Sequence, residues 1–404
     1  MTDFVNSWNT GLLTVPYAPL GLIAMPGCEE LAGQVNDWLM KWYEHQDELD
    51  DTPLYSILGS NRENFLIEAE CPRFGTGEGK GMVKSSVRGY DIYIVSDIGA
   101  YNVTYKMYGK DVPMSPDDHF QDLKRVIAAI GGKARRVSVI MPMLYEGRQH
   151  RRTTRESLDC AMALQELEQM GVSNIITFDA HDPRVQNAIP LIGFDNVKPS
   201  YQILKALFAN MPDLQLDSEH MMIVSPDEGA IDRNIYFSSM LGIDMGLFYK
   251  RRDYTTIVNG RNPIIAHEYL GDDVSGKDVL VSDDILASGE SILDLARELK
   301  ARNANRIFAS VTFPLFTSGL DSFHKAYEDG IISRVISTNL TYCQPELKKA
   351  PWFIEADMSK YISYIIASLN HDRSLSTLLN PYTRMENLIE NYKKKQVENG
   401  YRLV

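Results

Sequence analysis

The sequence predicts an α/β protein built from parallel β-sheets that are covered by helices on both faces. Short apolar runs of strand length alternate regularly with segments whose apolar residues recur at helical spacing. The strand-like runs are continuously apolar, as strands buried on both faces require. In such sheets ligands bind beyond the carboxyl ends of the strands, so a functional site is expected there.

The predicted elements alternate along the whole chain. The predicted strands are 20–25, 92–95, 136–141, 174–178, 220–224, 245–249, 277–281, 306–311 and 333–336. The predicted helices are 28–43, 116–130, 155–170, 200–210, 230–241, 288–302, 321–329 and 358–369. The segments 44–70 and 96–115 are expected to form long loops, and 380–404 an added polar helix.

Composition limits the class of protein. A chain of 404 residues, 44% of them hydrophobic, can form two domains with full cores. The net charge of -13 argues against a nucleic-acid surface, and no apolar run approaches membrane-spanning length. The N-terminus lacks the pattern of a targeting segment, and the four cysteines are too widely spaced for a zinc or disulfide pattern. We therefore expect a cytoplasmic protein with free thiols that binds neither nucleic acid nor membrane.

The most informative segment is 280–291, LVSDDILASGES, which predicts the end of a strand, an acidic turn and the start of a helix. Ser288, Gly289 and Ser291 place small side chains and unpaired backbone N–H groups at a helix N-terminus. Those groups and the helix dipole favour a phosphate. The loop therefore predicts a phosphate site.

Two adjacent carboxylates precede this loop. Asp283 and Asp284 would accept hydrogen bonds from sugar hydroxyls or act as indirect metal ligands, so the segment fits a phosphorylated sugar. The residues alone leave another interpretation open. Ser288 can be an ordinary N-cap, Glu290 a first-turn acid favoured by the dipole, and the acid pair a solvated turn.

Four other predicted strand ends carry groups that bind phosphates or metals. They lead into 142–152 with Arg148 and Gln149, 179–182 with His181, 225–229 with Asp227, and 250–252 with Lys250 and Arg252. Carboxylates and a histidine can hold a metal, and cations neutralise phosphates. Each group alone is more typical of a solvated loop or a structural histidine than of a functional site. The glycine-rich segment 73–81 fits neither a P-loop nor a dinucleotide fingerprint, because its spacing is wrong and no helix pattern follows.

Taken together, these motifs resemble the ribose-phosphate diphosphokinase family, also called phosphoribosyl diphosphate synthetases. The resemblance runs in order from about residue 20 to about residue 379. Segments 74–78 and 147–151 are similar to the family's two ATP-contacting loops. The turns at 179–181 and 225–227 resemble its magnesium-binding turns. The Lys-x-Arg motif falls on 250–252, and the sugar-phosphate loop falls on 283–291.

The resemblance implies two phosphoribosyltransferase-type domains, 1–196 and 197–352, followed by C-terminal helices and a tail, 353–404. It implies transfer of the diphosphoryl group of ATP to the C1 hydroxyl of ribose 5-phosphate, with Mg²⁺ as cofactor. The products would be phosphoribosyl diphosphate and AMP. It also implies a homo-oligomer, a dimer or hexamer, with ATP bound across subunits.

The roles implied by the resemblance follow the motifs. The catalytic residues would be Lys250 and Arg252, and the magnesium ligands His181 and Asp227. The ATP contacts would be Phe74, Thr76, Gly77, Glu78, Arg148 and Gln149. The ribose phosphate contacts would be Arg252, Asp283, Asp284, Ala287, Ser288, Gly289, Glu290 and Ser291.

The chain departs from the family pattern at four positions. Thr76 stands where an aspartate often contacts adenine, and His150 replaces an aspartate. Ala287 and Glu290 replace an aspartate and a glycine of the sugar-phosphate loop, and a carboxylate pointing at a bound phosphate would repel it. These departures leave other functions open: a catalytically weakened regulatory homologue that binds an active synthetase, or a diphosphokinase for another phosphorylated sugar. A phosphoribosyltransferase would share the acidic loop without needing the ATP loops.

Overall fold

The structure is a computed structural model that describes residues 16–47, 64–252 and 264–398, and of 43–47, 250–252 and 264–267 only the backbone. Its strands, in chain order, are β1 Leu20–Ala24, β2 Ala69–Glu70, β3 Met82–Val83, β4 Asp91–Val95, β5 Thr104–Met107, β6 Lys110–Pro113, β7 Arg136–Ile140, β8 Asn174–Phe178, β9 Gly193–Val197, β10 Met221–Ser225, β11 Met245–Arg252, β12 Ile264–Leu270, β13 Asp278–Leu286, β14 Ile307–Pro314, β15 Arg334–Thr338 and β16 Phe353–Ala356.

The helices lie between these strands and at the C-terminal end. They are α1 Glu29–Asp47, α2 Pro116–Ile130, α3 Asp159–Gln169, α4 Ser200–Asn210, α5 Ile231–Leu241, α6 Glu290–Ala301, α7 Asp321–Glu328, α8 Pro345–Lys349, α9 Ser359–Asn370, α10 Ser376–Leu379 and α11 Tyr382–Glu398. Within the described part of the chain, none of them combines the length and apolar character that crossing a membrane requires.

Two sheets organise the molecule, as the α/β fold class predicted. The sheet of the N-terminal domain is parallel, in the order β1-β4-β7-β8-β9. The sheet of the C-terminal domain has the order β12-β11-β10-β13-β14-β15-β16 and is parallel except for β12, which pairs antiparallel with β11. Apolar side chains from both faces of each sheet pack beneath the flanking helices. The predicted α/β fold, with parallel sheets covered by helices on both faces, is confirmed.

The C-terminal elements divide between the two domains. Helix α9 contributes Ile362 and Ile365 to the core around the first sheet. Strand β16 extends the second sheet, and α11 packs Met385 and Ile389 against the core of that sheet. The polar helix predicted for the tail is therefore present and covers the C-terminal domain. Residues 399–404 lie outside the described part of the chain.

Each predicted strand and helix has a counterpart, but three expectations were wrong. The acid pair lies within β13 and not in a turn, because the ladder with β14 continues past Asp283 to Leu286. The third helix begins at Asp159, four residues later than predicted. The segment 96–115 is not a plain loop, since β5 and β6 form a hairpin within it. Besides the hairpin, strands β2, β3, β9, β12 and β16 were not predicted.

Candidate active site

The loop after β13 is shaped by one glycine. Gly289 has φ 83°, in the left-handed region, and a Cβ atom at this position would collide with the ring of Phe323. The carbonyl oxygen of Ala287 accepts a hydrogen bond of 2.9 Å from the backbone N–H of Thr317, which holds the loop to the end of β14. Helix α6 begins directly after Gly289, so its N-terminus faces the loop.

The residues predicted to bind phosphate lie at this N-terminus. Ser288 is half-buried, while Glu290 and Ser291 are exposed. The backbone N–H of Glu290 is 3.4 Å from Oγ of Ser288. The loop thus offers hydroxyl groups and backbone donors at the positive end of the helix dipole, which is the geometry that anions prefer. The identity of the anion stays a prediction.

The acid pair meets the predicted magnesium-binding histidine across the domain boundary. Nδ1 of His181, in the turn after β8, donates a hydrogen bond of 2.8 Å to Oδ2 of Asp284 in β13. The backbone N–H of Ala180 donates to the side-chain oxygen of Asn196, at 2.9 Å, and this contact fixes the turn against β9. Two motifs separated by 103 positions in the sequence therefore form one site.

Arg233 completes this cluster, although it was not among the predicted site residues. Its Nη2 lies 2.9 Å from Oδ1 of Asp179, and its Nη1 lies 3.7 Å from Oδ1 of Asp283. The hydroxyl of Thr312 donates a hydrogen bond of 2.6 Å to Asp179. Arg233 thus links a carboxylate of the N-terminal domain to the acid pair of the C-terminal domain. The sequence did carry a signal for Arg233, because a cation in the first turn of a helix is repelled by the helix dipole. An arginine at such a position indicates an anionic partner.

Burial and neighbouring charges shift the pKa values of the acid pair in opposite directions. Burial, and then the charge of Asp284, raises the pKa of Asp283. Burial opposes ionisation of Asp284 too, but the hydrogen bond from His181 and the charge of Arg233 outweigh it and lower the pKa of Asp284. The hydrogen bond to Asp284 raises the pKa of His181. One carboxylate is therefore firmly ionised, and its neighbour takes up a proton more readily.

The predicted ATP loop at 147–151 lies beside the same cluster. Nε2 of His150 is 3.5 Å from Oδ2 of Asp182, and the His150 and His181 rings are 5.3 Å apart. Arg148 and Gln149 directly precede His150 in that loop, and Gln149 lines a polar recess. The structure therefore brings one of the two predicted ATP loops close to the predicted magnesium-binding turn.

Asp227 occupies the turn that precedes α5. Its Oδ1 accepts a hydrogen bond of 3.0 Å from the backbone N–H of Gly229, and the side chain is half-buried. Among the described residues, no group of three or more His, Cys, Asp or Glu side chains is arranged to hold a metal ion. Magnesium nevertheless fits these donors, because it usually keeps several waters and binds one or two carboxylates together with substrate phosphates. Nδ1 of His181 is committed to Asp284, an arrangement typical of metal-binding histidines that leaves Nε2 for the ion.

The predicted catalytic residues lie at the end of β11. Lys250 pairs with His267 and Arg252 with Ile264 of the antiparallel neighbour β12, with an irregularity in register between Arg251 and Arg252. The side chains of these residues lie outside the described part of the structure, so their catalytic roles stay a prediction.

The other predicted ATP-contacting segment, 74–78, forms a tight turn. The backbone N–H of Phe74 donates to the carbonyl oxygen of Glu78 at 2.7 Å, and Gly77 donates to Phe74 at 2.8 Å. The hydroxyl of Thr76 donates to Oε2 of Glu78 at 3.0 Å. The Phe74 ring is 58% exposed and is available to a ligand or to another subunit.

This fold and this site define the class of protein: two phosphoribosyltransferase-type domains with an acid pair and a phosphate-type loop at the carboxyl end of a strand. Residues 21–171 match the family model described as the N-terminal domain of ribose phosphate pyrophosphokinase, and residues 194–327 match the phosphoribosyl transferase domain. The chain belongs to the ribose-phosphate pyrophosphokinase family, the family of transferases also called ribose-phosphate diphosphokinases.

Several curated relatives carry the same name. The chain is 26% identical over 320 residues to the ribose-phosphate pyrophosphokinase of Shewanella oneidensis. The aligned region covers 78% of this chain and 91% of that protein. The chain is 24% identical over 319 residues to the enzyme of that name from Vibrio cholerae, with 78% and 92% covered. Phosphoribosylpyrophosphate synthetase from Mycobacterium smegmatis has the same fold, with a TM-score of 0.66 at 19% identity over 88% of this chain and 99% of the other.

Proposed function

We propose that the chain is a ribose-phosphate diphosphokinase that transfers the β,γ-diphosphoryl group of ATP to the C1 hydroxyl of ribose 5-phosphate. A bond forms between the C1 oxygen and the β-phosphorus while the bond to the AMP oxygen breaks. The products are phosphoribosyl diphosphate and AMP. The observation that carries the proposal is the hydrogen bond between His181 and Asp284, which joins the predicted metal turn to the predicted ribose-binding acids.

In this proposal the C-terminal domain holds the sugar. Asp283 and Asp284 accept hydrogen bonds from the ribose hydroxyls. The backbone N–H groups and hydroxyls at Ser288, Gly289 and Ser291 bind the 5-phosphate, as the shape of the Gly289 turn supports. Ala287 and Glu290 belong to the same loop. Because Glu290 is exposed, its carboxylate can point to solvent, where screening leaves little repulsion.

The diphosphate of ATP would be placed between the domains. Arg148 and Gln149 contact ATP, and Lys250 and Arg252 neutralise the negative charge that develops on the transferred phosphates. Phosphoryl transfer depends chiefly on such placement and charge neutralisation. His181 and Asp227 would hold magnesium, which when bound neutralises phosphate charge.

ATP would also be contacted by the Phe74–Glu78 turn, through Phe74, Thr76, Gly77 and Glu78. The exposure of the Phe74 ring supports a contact with ATP bound to a neighbouring subunit. We accordingly propose a homo-oligomer, a dimer or hexamer, whose substrates are ATP and ribose 5-phosphate.

Release of AMP tests the reaction. The full chain is incubated with ATP, Mg²⁺ and a panel of phosphorylated sugars, and AMP is separated by chromatography. Ribose 5-phosphate is expected to give stoichiometric AMP and phosphoribosyl diphosphate. AMP release with a different sugar phosphate would change the assigned substrate. Binding of ribose 5-phosphate without AMP release would instead favour a regulatory homologue.

A further inference from the structure

The β5–β6 hairpin ends in a turn with an unusual residue. Met107 pairs with Lys110, so the loop consists of Tyr108 and Gly109, with φ 49° and 77°. Such two-residue turns need positive φ at both positions and normally use Asn-Gly or Gly-Gly, because a bulky residue is strained there. The side chain of Tyr108 is 77% exposed, so packing within the described part of the chain does not compensate for the strain.

This turn lies directly against the Phe74–Glu78 turn. The backbone N–H of Tyr108 donates a hydrogen bond of 2.8 Å to the carbonyl oxygen of Gly75. A Cβ atom on Gly77 would be 2.8 Å from Sδ of Met107, so the two turns are closely packed. Hydrogen-bonded chains lie about 5 Å apart, so the exposed rings of Phe74 and Tyr108 arise from neighbouring positions.

The base of this unit is anchored by a buried arginine. Arg73, which precedes Phe74, is 5% exposed and lies 2.5 Å from Oδ1 of Asp122 in α2. Its guanidinium stacks 4.9 Å from the centre of the Tyr105 ring in β5. The arginine therefore ties the nucleotide turn, the hairpin and α2 together, and the two exposed rings are held on one support.

We infer that Tyr108 is a second aromatic contact for the adenine ring of ATP, beside Phe74. The inference rests on the proposed function, in which the Phe74–Glu78 turn contacts ATP. A planar purine stacks on aromatic side chains without needing a particular hydrogen-bonding pattern. Stacking on Tyr108 would strengthen ATP binding at a site where Thr76 stands in place of an aspartate, and it would discriminate weakly between adenine and guanine.

The test variant is Tyr108→Asn, because asparagine suits the turn and has no aromatic ring. Tyr108→Phe keeps the ring, and Tyr382→Ala removes a tyrosine that is 54% exposed on α11 as a matched control. Loss of one stacked base is expected to weaken equilibrium binding of ATP about tenfold in Tyr108→Asn. Tyr108→Phe and Tyr382→Ala should bind ATP as the parent does, and GTP binding should fall in parallel.

Binding is measured on the assembled full chain with a fluorescent adenine nucleotide displaced by ATP. Tyr108→Asn with the affinity of the parent would overturn the inference, as would a parent that binds no ATP. AMP release in the same preparations tests the proposed reaction separately. A parent that binds ATP but releases no AMP overturns that reaction, and the difference in ATP affinity between parent and Tyr108→Asn still decides the role of Tyr108.

Discussion

Replacing Arg233 with methionine should both destabilise the protein and impair turnover. The guanidinium bridges Asp179 of the N-terminal domain, through contacts of 2.9 and 3.1 Å, and Asp283 of the C-terminal domain, at 3.7 Å. Methionine keeps the length and apolar stem of the side chain but removes the charge and all donors. The substitution therefore leaves two carboxylates without their shared cation.

The magnitude follows from burial. The side chains of Arg233 and Asp179 are 17% and 12% exposed, and removing one partner of a buried pair costs about 3–5 kcal/mol. Asp179 keeps the hydrogen bond from Thr312, and Asp283 can take up a proton, so we expect the lower end, about 3 kcal/mol. The ion pair of Arg233 and Asp179 also helps to position the acid pair relative to His181. A displacement of the acid pair by about 1 Å should reduce turnover roughly 100-fold.

Urea unfolding measures the first effect, and AMP release at saturating ATP, ribose 5-phosphate and Mg²⁺ measures the second. Arg297→Met is the control, since Arg297 forms an exposed pair with Asp294 on α6, and losing it should cost less than about 1 kcal/mol. Arg233→Lys keeps the charge without the fork of donors and should fall between parent and Arg233→Met. If Arg233→Met matched Arg297→Met in both stability and turnover, the bridging role would be refuted.

Four further substitutions test the proposed site. Lys250→Ala should lower kcat roughly 100-fold or more and leave KM for ribose 5-phosphate nearly unchanged, because the interaction is made mainly in the transition state. A raised KM with normal kcat would contradict this. His181→Ala and Asp227→Ala should each raise the Mg²⁺ concentration for half-maximal rate about tenfold or more while the fold stays intact. If the Mg²⁺ titration of either variant matched that of the parent, the substituted residue would be excluded as a ligand. Glu290→Gly should change the affinity for ribose 5-phosphate, measured by calorimetry, less than about threefold, since the carboxylate is exposed. If the variant bound ribose 5-phosphate much more tightly than the parent, and the parent were inactive, the regulatory homologue would be favoured.

The alternation of strands and helices was predictable because the spacing of apolar residues indicates which side chains are buried. Strand β9, Gly193–Val197 (GFDNV), was missed because its residues are only partly buried and include an aspartate and an asparagine. Strand β13 was predicted too short for a related reason. Its acid pair looks like a turn in one dimension, yet the ladder with β14 continues to Leu286. Polar residues within a strand interrupt the apolar pattern, so such a strand is difficult to predict from the sequence.

The local parts of the site were predictable, whereas the contacts between them were not. The small polar loop at Ser288–Ser291 is a continuous motif, so the start of α6 could be anticipated from residue types alone. The pairing of Arg233 with Asp179 joins positions 54 apart, and no rule of local spacing specifies it. Only the docking of the two sheets determines which carboxylate receives that cation.

The C-terminal segment helps to maintain this docking. The side chain of Asn370, at the end of α9, donates to Asp91 of the first sheet at 2.9 Å, and Arg136 binds Asp372 at 2.9 Å. Twenty residues further on, the hydroxyl of Tyr392 in α11 donates to the carbonyl oxygen of Met211 at 2.6 Å in the C-terminal domain. A single stretch of chain therefore binds both domains on either side of α10. Because the acid pair and His181 belong to different domains, their geometry depends on any element that restrains the two domains together, and the tail is such an element.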